Sequence, residues 1–489
     1  MLTPDQIRTF IENDRASNKK QSAQIGLRYY EGDHDIKNHR IFFFDADNQL
    51  REDKTKSNIK ICHPFFTELV DQAVQYMLSG KDGFVKSDNP DLQPLLDEYF
   101  NENEDFISEL YEILTGCISK GFEYAYAYKR ADEKIGFQCA DSIGVVEVRA
   151  KETDDNCDYV IYSYKDKIGK DNKQITRIQV WDDKQTYFYV QEDDGQIKPD
   201  TAQEHNPRPH VIYKNEGDEN TYFEGFGFIP FFRLDNCRKQ YSDLRPIKAL
   251  IDDYDLMSCG LSNNLQDTAE ALYVVKGFQG DNLDELMLNI KAKKHVGVAE
   301  DGGVEVHTVD VPYQARQTKL ELDEKNIYRF GMGFNSAQIG DGNITNIVIK
   351  SRYALLDLKC NKLEIRLKQF MRKLLKIVLA EINAEHDTDY QQKDVYFDFE
   401  REVMTNAADN AQIELTEAQV RQTEINTVLN IREFIGDEEA LKLICEQLDV
   451  AYDDIKSNLP AEIPVTDPAA AQNILTNLST TEEVITDAE

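Results

Sequence analysis

The sequence predicts an α+β protein in which early helices pack against an antiparallel sheet and one very long helix follows later in the chain. Short runs of aromatic and β-branched residues recur between about residues 123 and 214, separated by Asp, Asn, Gly and Lys turns. Residues 347–383 keep a single helical pattern that no proline or glycine interrupts. The chain has 489 residues, 41% of them hydrophobic, and this length predicts more than one domain.

The N-terminal part of the chain is predicted to be mainly helical. Thr3 is suited to an N-cap, with Pro4 at the first helical position, and the helical pattern continues to about Tyr30. Further helices are predicted for residues 64–78 and 106–117. Strands are predicted at residues 41–44, 123–129, 145–148, 159–164, 175–181, 186–190 and 211–214.

A helix is predicted to begin after the run of residues 229–236. Ser242 or Asp243 can cap it, Pro246 lies in its first turn, and the pattern continues to about residue 268. Its apolar face contains Ile247, Leu250, Ile251, Tyr254, Met257, Leu261 and Leu265. We expect the opposite face to be polar and to contain Asp252, Asp253, Asp255, Asn263 and Asp267.

A small unit follows this helix, and a second helix closes it. The unit is predicted to contain a strand at 271–275, a short helix at 283–290 and two strand pieces around a Gly302-Gly303 turn. The second helix covers residues 313–330, and Gly331 and Gly333 terminate it. The small unit is therefore held between two helices.

The long helix at 347–383 has two distinct faces. At 1.5 Å per residue it is roughly 55 Å long, so it must cross a large body or pack against repeated neighbours. Its apolar face is Leu356, Cys360, Leu363, Leu367, Phe370, Leu374, Val378 and Ile382. Beside it lies a basic stripe, Lys359, Lys362, Arg366, Lys373 and Lys376, which is a solvated face, or meets the acidic surface of another copy, or meets nucleic acid.

The last part of the chain is predicted to be helical and polar. A strand is predicted at 395–399, and a helical pattern runs from Thr405 to about Ser457. The segment after Pro460 is acidic and rich in Thr, and we expect it to be loose.

The composition excludes several classes of protein. A formal net charge of −34 argues against adhesion to nucleic acid or to an anionic membrane through bulk charge. We expect neither export nor membrane spanning, because there is no apolar signal core and no long apolar run. The eight cysteines are scattered singly, which is typical of reduced, mostly buried residues in a cytosol.

Catalytic, metal and nucleotide motifs are not predicted either. The glycines near 331–333 and 340–342 lack the Lys-Ser/Thr ending of a phosphate-binding loop, and Leu50 stands where a calcium loop beginning at Asp45 needs glycine. The pairs His34 with His39 and His205 with His210 have no supporting Cys or carboxylate array, so we expect satisfied or solvated histidines there. The sequence thus predicts no catalytic residue, no metal and no cofactor.

The loop at 333–346 differs from an ordinary connector in length and composition. It holds amides, hydroxyls and glycines with one acid and no base. Loops of this length are usually functional or disordered, and such side chains contact phosphates weakly, without the strong pairing of Lys or Arg. This surface would suit a polymer that must slide.

Several blocks resemble one known family, the portal or head-to-tail connector proteins of tailed bacteriophages, of the long-tailed type. Residues 27–36, and 58–71 with 76–80, are similar to the family's N-terminal blocks. Residues 229–236 with 243–255 resemble its entry to the first channel helix. The order of helix, small insert, helix, polar loop and long helix resembles its channel core, so that the likeness covers nearly the whole chain.

The resemblance implies a portal-type α+β subunit that assembles into a ring, usually of twelve copies, at one capsid vertex. It implies a helical and antiparallel-sheet wing, a two-helix stem, a small α/β clip and a helical crown. The implied parts are the wing (1–241), the stem helices (242–269 and 311–331), the clip (270–310), the tunnel loop (332–346), the long wing helix with its strand (347–402), the crown (403–460) and an acidic flexible tail (461–489).

The resemblance also implies a function and partners. The ring would be the channel for double-stranded DNA packaging and ejection, located in the virion and in the host cytoplasm during assembly, with no enzymatic activity. Its partners would be the terminase packaging motor, head-completion or adaptor proteins, the scaffold and the major capsid protein, with no membrane. Because each basic contact increases affinity for duplex DNA, an acidic channel wall would keep friction low.

Residue roles follow from the same resemblance. The clip would present Lys291, Lys293 and Lys294 to adaptor proteins, and the basic stripe Lys359, Lys362, Arg366, Lys373 and Lys376 would lie between subunits. The tunnel loop lacks a basic residue, which departs from the family pattern. Its DNA-facing residues would be Asn335, Ser336, Gln338, Asp341, Asn343, Thr345 and Asn346.

Two other functions stay open at this point. A cytosolic, metal-dependent nucleic-acid enzyme would have a carboxylate site among the many acids and would lose its activity to a chelator. A minor virion head protein would share the location but form no ring, so the mass of the native assembly distinguishes it.

Overall fold

The computed structural model describes residues 1–45, 47–54, 56–130, 134–151, 157–168, 173–192, 195–213, 222–267, 272–278, 282, 286, 298–307, 313–335, 346–402, 407–448, 450, 452 and 455. The chain divides into two units. The first contains residues 1–343 and 347–404, and the second contains residues 344–346 and 405–489.

Helices occupy most of the first unit outside its sheets. They are α1 (Pro4–Arg15), α2 (Asn18–Tyr30), α3 (Phe65–Met77), α4 (Gln93–Leu96), α5 (Glu104–Lys120), α6 (Lys248–Asp267), α7 (Tyr313–Gly331) and α8 (Asn346–His386). A π-helical turn at Asp97–Asn101 continues α4, and 3₁₀ turns occur at Asp35–Asn38 and Gln392–Asp394.

The strands form small antiparallel sheets, as predicted. The first half of the chain supplies β1 (Phe42–Phe44), β2 (Leu50–Glu52), β3 (Val85–Lys86), β4 (Phe122–Lys129), β5 (Ile135–Ala140), β6 (Val145–Val148), β7 (Tyr159–Ile168), β8 (Lys173–Trp181), β9 (Gln185–Gln191), β10 (Ile197–Pro199), β11 (Arg208–Pro209), β12 (Val211–Tyr213), β13 (Tyr222–Glu224) and β14 (Phe231–Asp235). The later strands are β15 (Leu272–Phe278), β16 (Val298–His307) and β17 (Tyr396–Phe397).

Two sheets dominate this topology. One has the order β10-β9-β8-β7-β6 with β11 paired to β9, and the other has the order β14-β4-β5. The remaining pairs are β1-β2, β12-β13, β15-β16 and β17-β3. Sequence analysis assigned no strand to β5 or β14, although both pair with the predicted strand β4.

The predicted strand β4 separates two hydrophobic clusters. Its alternate residues Ala125 and Ala127 belong to the main core beside α5, whereas Phe122 and Tyr124 belong to a second cluster that contains Trp181. Successive side chains on a strand point to opposite faces, which explains the division. The aromatic residues of this region therefore pack within the sheets, as the sequence indicated.

The first helical pattern is interrupted once. Thr3 caps α1 in a capping box with Gln6, which confirms the predicted N-cap. The helix ends at Arg15, however, and α2 begins after Ser17, whose side chain accepts a hydrogen bond from the Lys20 amide. The helical pattern predicted from Thr3 to about Tyr30 is confirmed, but it is divided into two helices, because the Ser17 hydroxyl competes for backbone groups and starts a new helix.

Two other predicted elements differ in detail. Residues 243–247 form turns, and α6 begins only at Lys248, because Pro246 disfavours the helical conformation of the residue before it. The predicted Gly302-Gly303 turn is absent, since both glycines lie inside the single strand β16. Gly303 pairs with Lys276, and the register then shifts so that Phe278 pairs with Val298, which leaves residues 299–302, Gly302 among them, in a bulge.

Helix α8 forms the centre of the main core. It has 41 residues, or about 60 Å. Its predicted apolar face is buried along its length, and the buried residues are Leu356, Cys360, Leu363, Leu367, Phe370, Leu374, Val378 and Ile382. The same core takes in residues of α3, α5, α6 and α7.

The second unit is helical where it is described, as predicted. Its helices are α9 (Ala407–Ile435) and α10 (Asp437–Gln447), which pack against each other. Gly436 links them in the left-handed conformation, with φ 87°, which glycine adopts without strain. Ala440 and Cys445 of α10 are buried.

Cysteines and membrane spans bear on the class of protein. All eight cysteines are free, and Cys117, Cys259, Cys360 and Cys445 are buried, which confirms part of the prediction. Within the described ranges, no helix combines the length and the apolar character needed to cross a membrane.

We predict that Leu367→Ala lowers the free energy of unfolding by about 3 kcal/mol, because it leaves a cavity beneath α8. Leu358→Ala on the same helix is the matched control, since Leu358 is 59% exposed. We expect it to change the free energy by less than about 0.5 kcal/mol. Urea unfolding at a concentration where the chain is monomeric measures both, and equal effects would contradict the assigned faces of α8.

Candidate functional surfaces

The two helices α6 and α7, which correspond to the predicted stem, pack side by side. Lys319 of α7 forms an ion pair with Asp253 of α6 at 2.5 Å and a second pair with Asp323 one turn along its own helix. Helix α7 also contacts α3. A three-helix junction thus carries the segment that leads into the predicted tunnel loop.

A buried carboxylate, Asp255 of α6, connects this junction to two N-terminal segments. Its two oxygens lie 2.6 Å from Nδ1 of His34 and 2.7 Å from Nδ1 of His63, and the His63 amide also donates to it. Asp255 and His34 are fully buried, and His34 stacks on Tyr29 with ring centroids 4.6 Å apart. Sequence analysis placed Asp255 on the polar face of this helix, opposite its apolar face, and the structure shows that residues 59–63 cover that polar face.

The pKa of Asp255 follows from these contacts. Burial alone raises the pKa of a carboxyl, but the hydrogen bonds from His34 and His63 outweigh burial and hold the pKa of Asp255 below its usual range. The carboxylate is therefore ionised and accepts hydrogen bonds from both rings. His34 is satisfied at Nδ1, but its buried Nε2 has no hydrogen-bond partner in the described part of the chain, so the prediction of a satisfied or solvated histidine holds for one ring nitrogen only.

The spacing of alternate residues in the extended segment 58–64 matches the spacing of every fourth residue along α6. The amides of Ile59, Ile61 and His63 donate in turn to Asn263 at 2.7 Å, Cys259 at 3.2 Å and Asp255 at 3.0 Å. Alternate residues of an extended chain are about 6.6 Å apart, and residues four apart on a helix are about 6 Å apart. An extended segment can therefore satisfy its amides along one side of a helix.

The end of α7 is fixed by close packing against α3. The amide of Gly333 donates to the Tyr328 carbonyl at 3.0 Å and that of Met332 to Arg329 at 3.4 Å, a Schellman motif. The helix ends at Gly331 and the Gly333 amide belongs to the terminating motif, as predicted, but the left-handed residue is Met332, with φ 56°, and not a glycine. A Cβ at Gly331 or Gly333 would lie 2.6 or 2.0 Å from Leu69 of α3.

The first residues of the predicted tunnel loop are held by the same helices. Gln72 of α3 exchanges two hydrogen bonds with the Phe334 backbone, at 2.8 and 3.0 Å. Phe334 stacks on Tyr353 of α8 with centroids 4.7 Å apart, and Asn335 donates to Glu324 at 2.9 Å. Asn335, a predicted DNA-facing residue, is thus half-buried at the start of the loop.

Of the other residues predicted for the tunnel loop and the clip, the structure describes only one. Asn346 is the first residue of α8. The predicted DNA-facing residues Ser336, Gln338, Asp341, Asn343 and Thr345 and the predicted adaptor-facing residues Lys291, Lys293 and Lys294 lie outside the described residues.

The predicted basic stripe of α8 divides into three groups. Lys359 is largely buried, pairs with Asp243 at 3.0 Å and donates to the Gly331 carbonyl at 3.4 Å, so it has partners within its own chain. Lys373 lines a polar cleft of about 1080 Å³ with Arg149, Asp183 and Arg233. Lys376 lines a more apolar cleft of about 780 Å³ beside Phe226 and Glu381.

Lys362 and Arg366 form the third group and lie on the outer side of α8. Lys362 is exposed and Arg366 half-exposed, and neither forms an ion pair with the residues that the structure describes. The exposed apolar side chains of Leu355, Leu358 and Ile365 share this side of the helix. We call these five residues the outer strip of α8. Exposed apolar residues beside cations in so acidic a chain are typical of a protein contact.

A metal site is not evident within the described part of the chain. No group of three or more His, Cys, Asp or Glu side chains there is placed to hold a metal ion. In the Asp255 cluster, two imidazoles bind one carboxylate directly through their Nδ1 atoms.

Sequence reasoning missed the contacts that build this junction. Gln72 and Asp255 form hydrogen bonds with residues 262 and 221 positions away in the sequence. No pattern of neighbouring residues predicts such pairs. The closely spaced Gly331 and Gly333 were the one available signal, because glycine often marks a close approach between backbones. Sequence analysis assigned them to helix termination instead.

Comparison with known proteins identifies the class of structure to which these surfaces belong. A family model described as phage portal protein, SPP1 Gp6-like, matches residues 10–451. A portal protein of Bacillus phage SPP1 is 28% identical over 353 residues, which cover 71% of this chain and 67% of that protein. A portal protein of Clostridium phage phiCD119 is 26% identical over 458 residues, which cover 91% of this chain and 96% of that one.

The match is to structural proteins of phage particles and extends over nearly the whole chain. The chain belongs to the SPP1 Gp6-like family of phage portal proteins. Its function is that of a phage portal protein, and the resemblance noted in the sequence is confirmed.

We predict that Asp255→Asn lowers the free energy of unfolding by about 3 kcal/mol at pH 7, because an amide cannot serve two imidazole donors as a carboxylate does. A lowered carboxyl pKa stabilises the fold above the unfolded pKa of about 3.9, and this stabilisation is lost as the pH falls through the folded pKa. The difference between wild type and variant should therefore shrink below about pH 4.

Urea unfolding between pH 3 and pH 7 measures this difference. Asp253→Asn is the matched control on the same helix, since Asp253 is exposed, and we expect a cost below about 1 kcal/mol. An equal cost for the two variants, or a difference that does not change with pH, would contradict the assigned role of Asp255.

Proposed function

We propose that this chain assembles into a ring, of about twelve copies by family resemblance, through which double-stranded DNA is packaged and ejected at one capsid vertex. The outer strip of α8 is the observation that carries this proposal, because a monomer gains nothing from exposing Leu355, Leu358 and Ile365 beside two cations. In a cyclic assembly this strip meets a different surface of the next copy.

The parts of the subunit follow the resemblance. We assign residues 1–241 to the wing, 242–269 and 311–331 to the stem, 270–310 to the clip, 332–346 to the tunnel loop, 347–402 to the long wing helix with its strand, 403–460 to the crown and 461–489 to an acidic tail. The tight junction of α3, α6 and α7 supports a rigid stem, since its contacts include a buried carboxylate and the close packing of two glycines against the Leu69 side chain.

The DNA-facing role belongs to the tunnel loop in this proposal. Gln72, Glu324 and Tyr353 anchor its first residues. A force on the loop is therefore transmitted to α3, α7 and α8. Asn335 serves this anchor, and Ser336, Gln338, Asp341, Asn343, Thr345 and Asn346 face DNA. Side chains without a positive charge contact phosphates without holding them, which permits sliding.

The partners in this proposal are other particle proteins rather than small molecules. The clip, with Lys291, Lys293 and Lys294, receives adaptor or head-completion proteins, and the ring docks the terminase motor, the scaffold and the major capsid protein. The chain has no enzymatic activity and no cofactor, and it is a component of the virion that assembles in the host cytoplasm.

Native mass measurement with negative-stain imaging tests the ring. Particles of about a dozen copies with a central hole support it. A homogeneous monomer or dimer, both alone and with the scaffold protein, would overturn it and favour a minor head protein that forms no ring.

We predict that a Gly-Ser replacement of equal length at residues 340–345 leaves ring mass unchanged and reduces the DNA packaged per particle or retained in it. The physical reason is that the loop contacts DNA without contributing to the contacts between copies. A replacement of the same length at residues 466–471 in the tail is the control. Wild-type packaging by the loop variant would remove the tunnel-loop assignment.

We also predict that Lys362→Glu with Arg366→Glu raises the concentration for half-assembly of rings by about tenfold or more, because two cations that face acidic neighbours become acids. The effect should fall at high salt, which screens these charges. Analytical ultracentrifugation measures the assembly.

The control reverses two exposed cations outside α8, Arg15→Glu with Lys184→Glu, at the same change of charge. Lys359 is kept intact, since its pair with Asp243 stabilises the chain itself. If the α8 variant assembles like the control, the outer strip does not lie between subunits.

A further inference from the structure

Ser258 of α6 lies beside the His63 side chain that Asp255 holds. Its hydroxyl oxygen is 3.4 Å from Nε2 of His63, and the opposite ring nitrogen, Nδ1, is 2.7 Å from an oxygen of Asp255. Asp255 and Ser258 lie about one turn apart on the same helix, and His63 reaches both from the extended segment that covers α6. The fold thus builds a hydrogen-bonded chain of serine, histidine and aspartate from distant parts of the sequence.

The protonation of these groups follows from their contacts. Burial disfavours the charge of Asp255, but the hydrogen bonds from His34 and His63 outweigh burial and hold its pKa below the usual range. A carboxylate only accepts hydrogen bonds, so Nδ1 of His63 carries a proton. In the neutral ring Nε2 then has no proton and accepts a hydrogen bond from the Ser258 hydroxyl. His63 is therefore oriented to take the proton of Ser258.

Aromatic neighbours fix the orientation of the His63 ring. Tyr254 contacts it edge to face with ring centroids 4.8 Å apart, and Phe65 stacks on it at 6.2 Å. The His63 amide also donates to Asp255 at 3.0 Å, so that backbone and ring bind the same carboxylate. A base whose geometry is fixed in advance removes a proton more effectively than a mobile one.

The hydroxyl of Ser258 differs from those of other helical residues of this chain. Serine and threonine in a helix often donate to the carbonyl four residues earlier, and Ser119, Thr318 and Thr423 do so. Ser258 contacts an imidazole instead. It is only partly buried, and the His63 side chain is 26% exposed, so a small reactant can approach both.

We propose that Ser258 is a nucleophile that accepts an acyl group from an activated ester, an aryl ester or a thioester, with His63 as general base and Asp255 positioning the imidazole. The Ser258 oxygen forms a bond to the carbonyl carbon, and the bond from that carbon to the leaving group breaks. The leaving group departs with the bonding electron pair, and the serine proton passes to Nε2 of His63. This modification site is independent of ring assembly.

The reaction should stop at the modified serine. Hydrolysis of an acyl serine is fast where amide donors stabilise the oxyanion, and the amides of Ile59, Ile61 and His63 already donate to side chains of α6. General-base assistance remains, and it typically accelerates attack by about 10²–10⁴-fold. We therefore expect one acyl group per chain without turnover, which is consistent with a structural protein.

Labelling with an alkyl fluorophosphonate tests the nucleophile. The reagent forms a bond from phosphorus to the serine oxygen and releases fluoride, and peptide mass spectrometry locates the label. Ser79 is the internal reference, because it is also partly buried and its hydroxyl donates to the Tyr76 carbonyl. Ser258 should react at least about tenfold faster than Ser79. Equal rates, or no label on Ser258, would overturn the proposal.

Substitution of the base distinguishes activation from exposure. His63→Gln should lower the labelling rate of Ser258 by at least about tenfold, because glutamine forms hydrogen bonds but takes up no proton. His39→Gln, at an exposed histidine, is the matched control and should react like wild type. Asp255 is left unchanged, since its substitution destabilises the chain. Circular dichroism checks that both variants fold, and an unchanged rate in a folded His63→Gln protein would contradict the role of His63.

Treatment with p-nitrophenyl acetate tests the class of substrate. Exposed lysines also react with this ester, so the readout is an acetyl ester on the Ser258 peptide. We expect it in wild type and not in the His63→Gln variant. A fluorophosphonate label without an acetyl ester would contradict an acyl substrate. These outcomes leave the proposed portal function unchanged, because neither reagent measures ring mass or DNA packaging.

Discussion

The rest of the structure depends on the burial of one face of α8. That face crosses the main core and contacts residues from α3, α5, α6 and α7, each large apolar side chain contributing about 1.5–3 kcal/mol. Polar contacts fix the helix at two places. Lys359, in the first half of the helix, binds Asp243, and Glu381 accepts from Tyr99, Lys129 and the Ile135 amide near its end. A helix held in this way transmits displacement along its length instead of bending.

The junction of α3, α6 and α7 shows how such a fold supports a loop. Asp255 ties α6 to the segments around His34 and His63, while Gly331 and Gly333 let the backbone of α7 approach Leu69. The hydrogen bonds of Asp255 and the close packing of the two glycines each allow a single geometry, whereas contacts at the surface are flexible. These contacts fix the start of the loop that is proposed to face DNA, since Gln72 and Glu324 hold Phe334 and Asn335.

Charge explains where copies can meet. With 90 acids against 56 lysines and arginines, most of the surface repels another copy. One surface departs from this pattern. The outer strip of α8 adds Lys362 and Arg366 to exposed apolar residues. A contact with an acidic surface through this strip, as proposed, should weaken as the salt concentration rises, because salt screens the two cations.

The sequence by itself determined the elements whose period is long and uninterrupted. The apolar spacing of α8 gave its buried face, the alternation of Ala125 and Ala127 with tyrosines gave β4, and Thr3 gave the first cap, because local geometry alone sets these patterns. The order of its blocks also identified the portal family. Only the tertiary structure decided the roles of Asp255, Gln72 and Lys359. Their partners come from other elements, many of them far away in the chain, and whether a charged side chain faces water or a partner depends on which segment covers it.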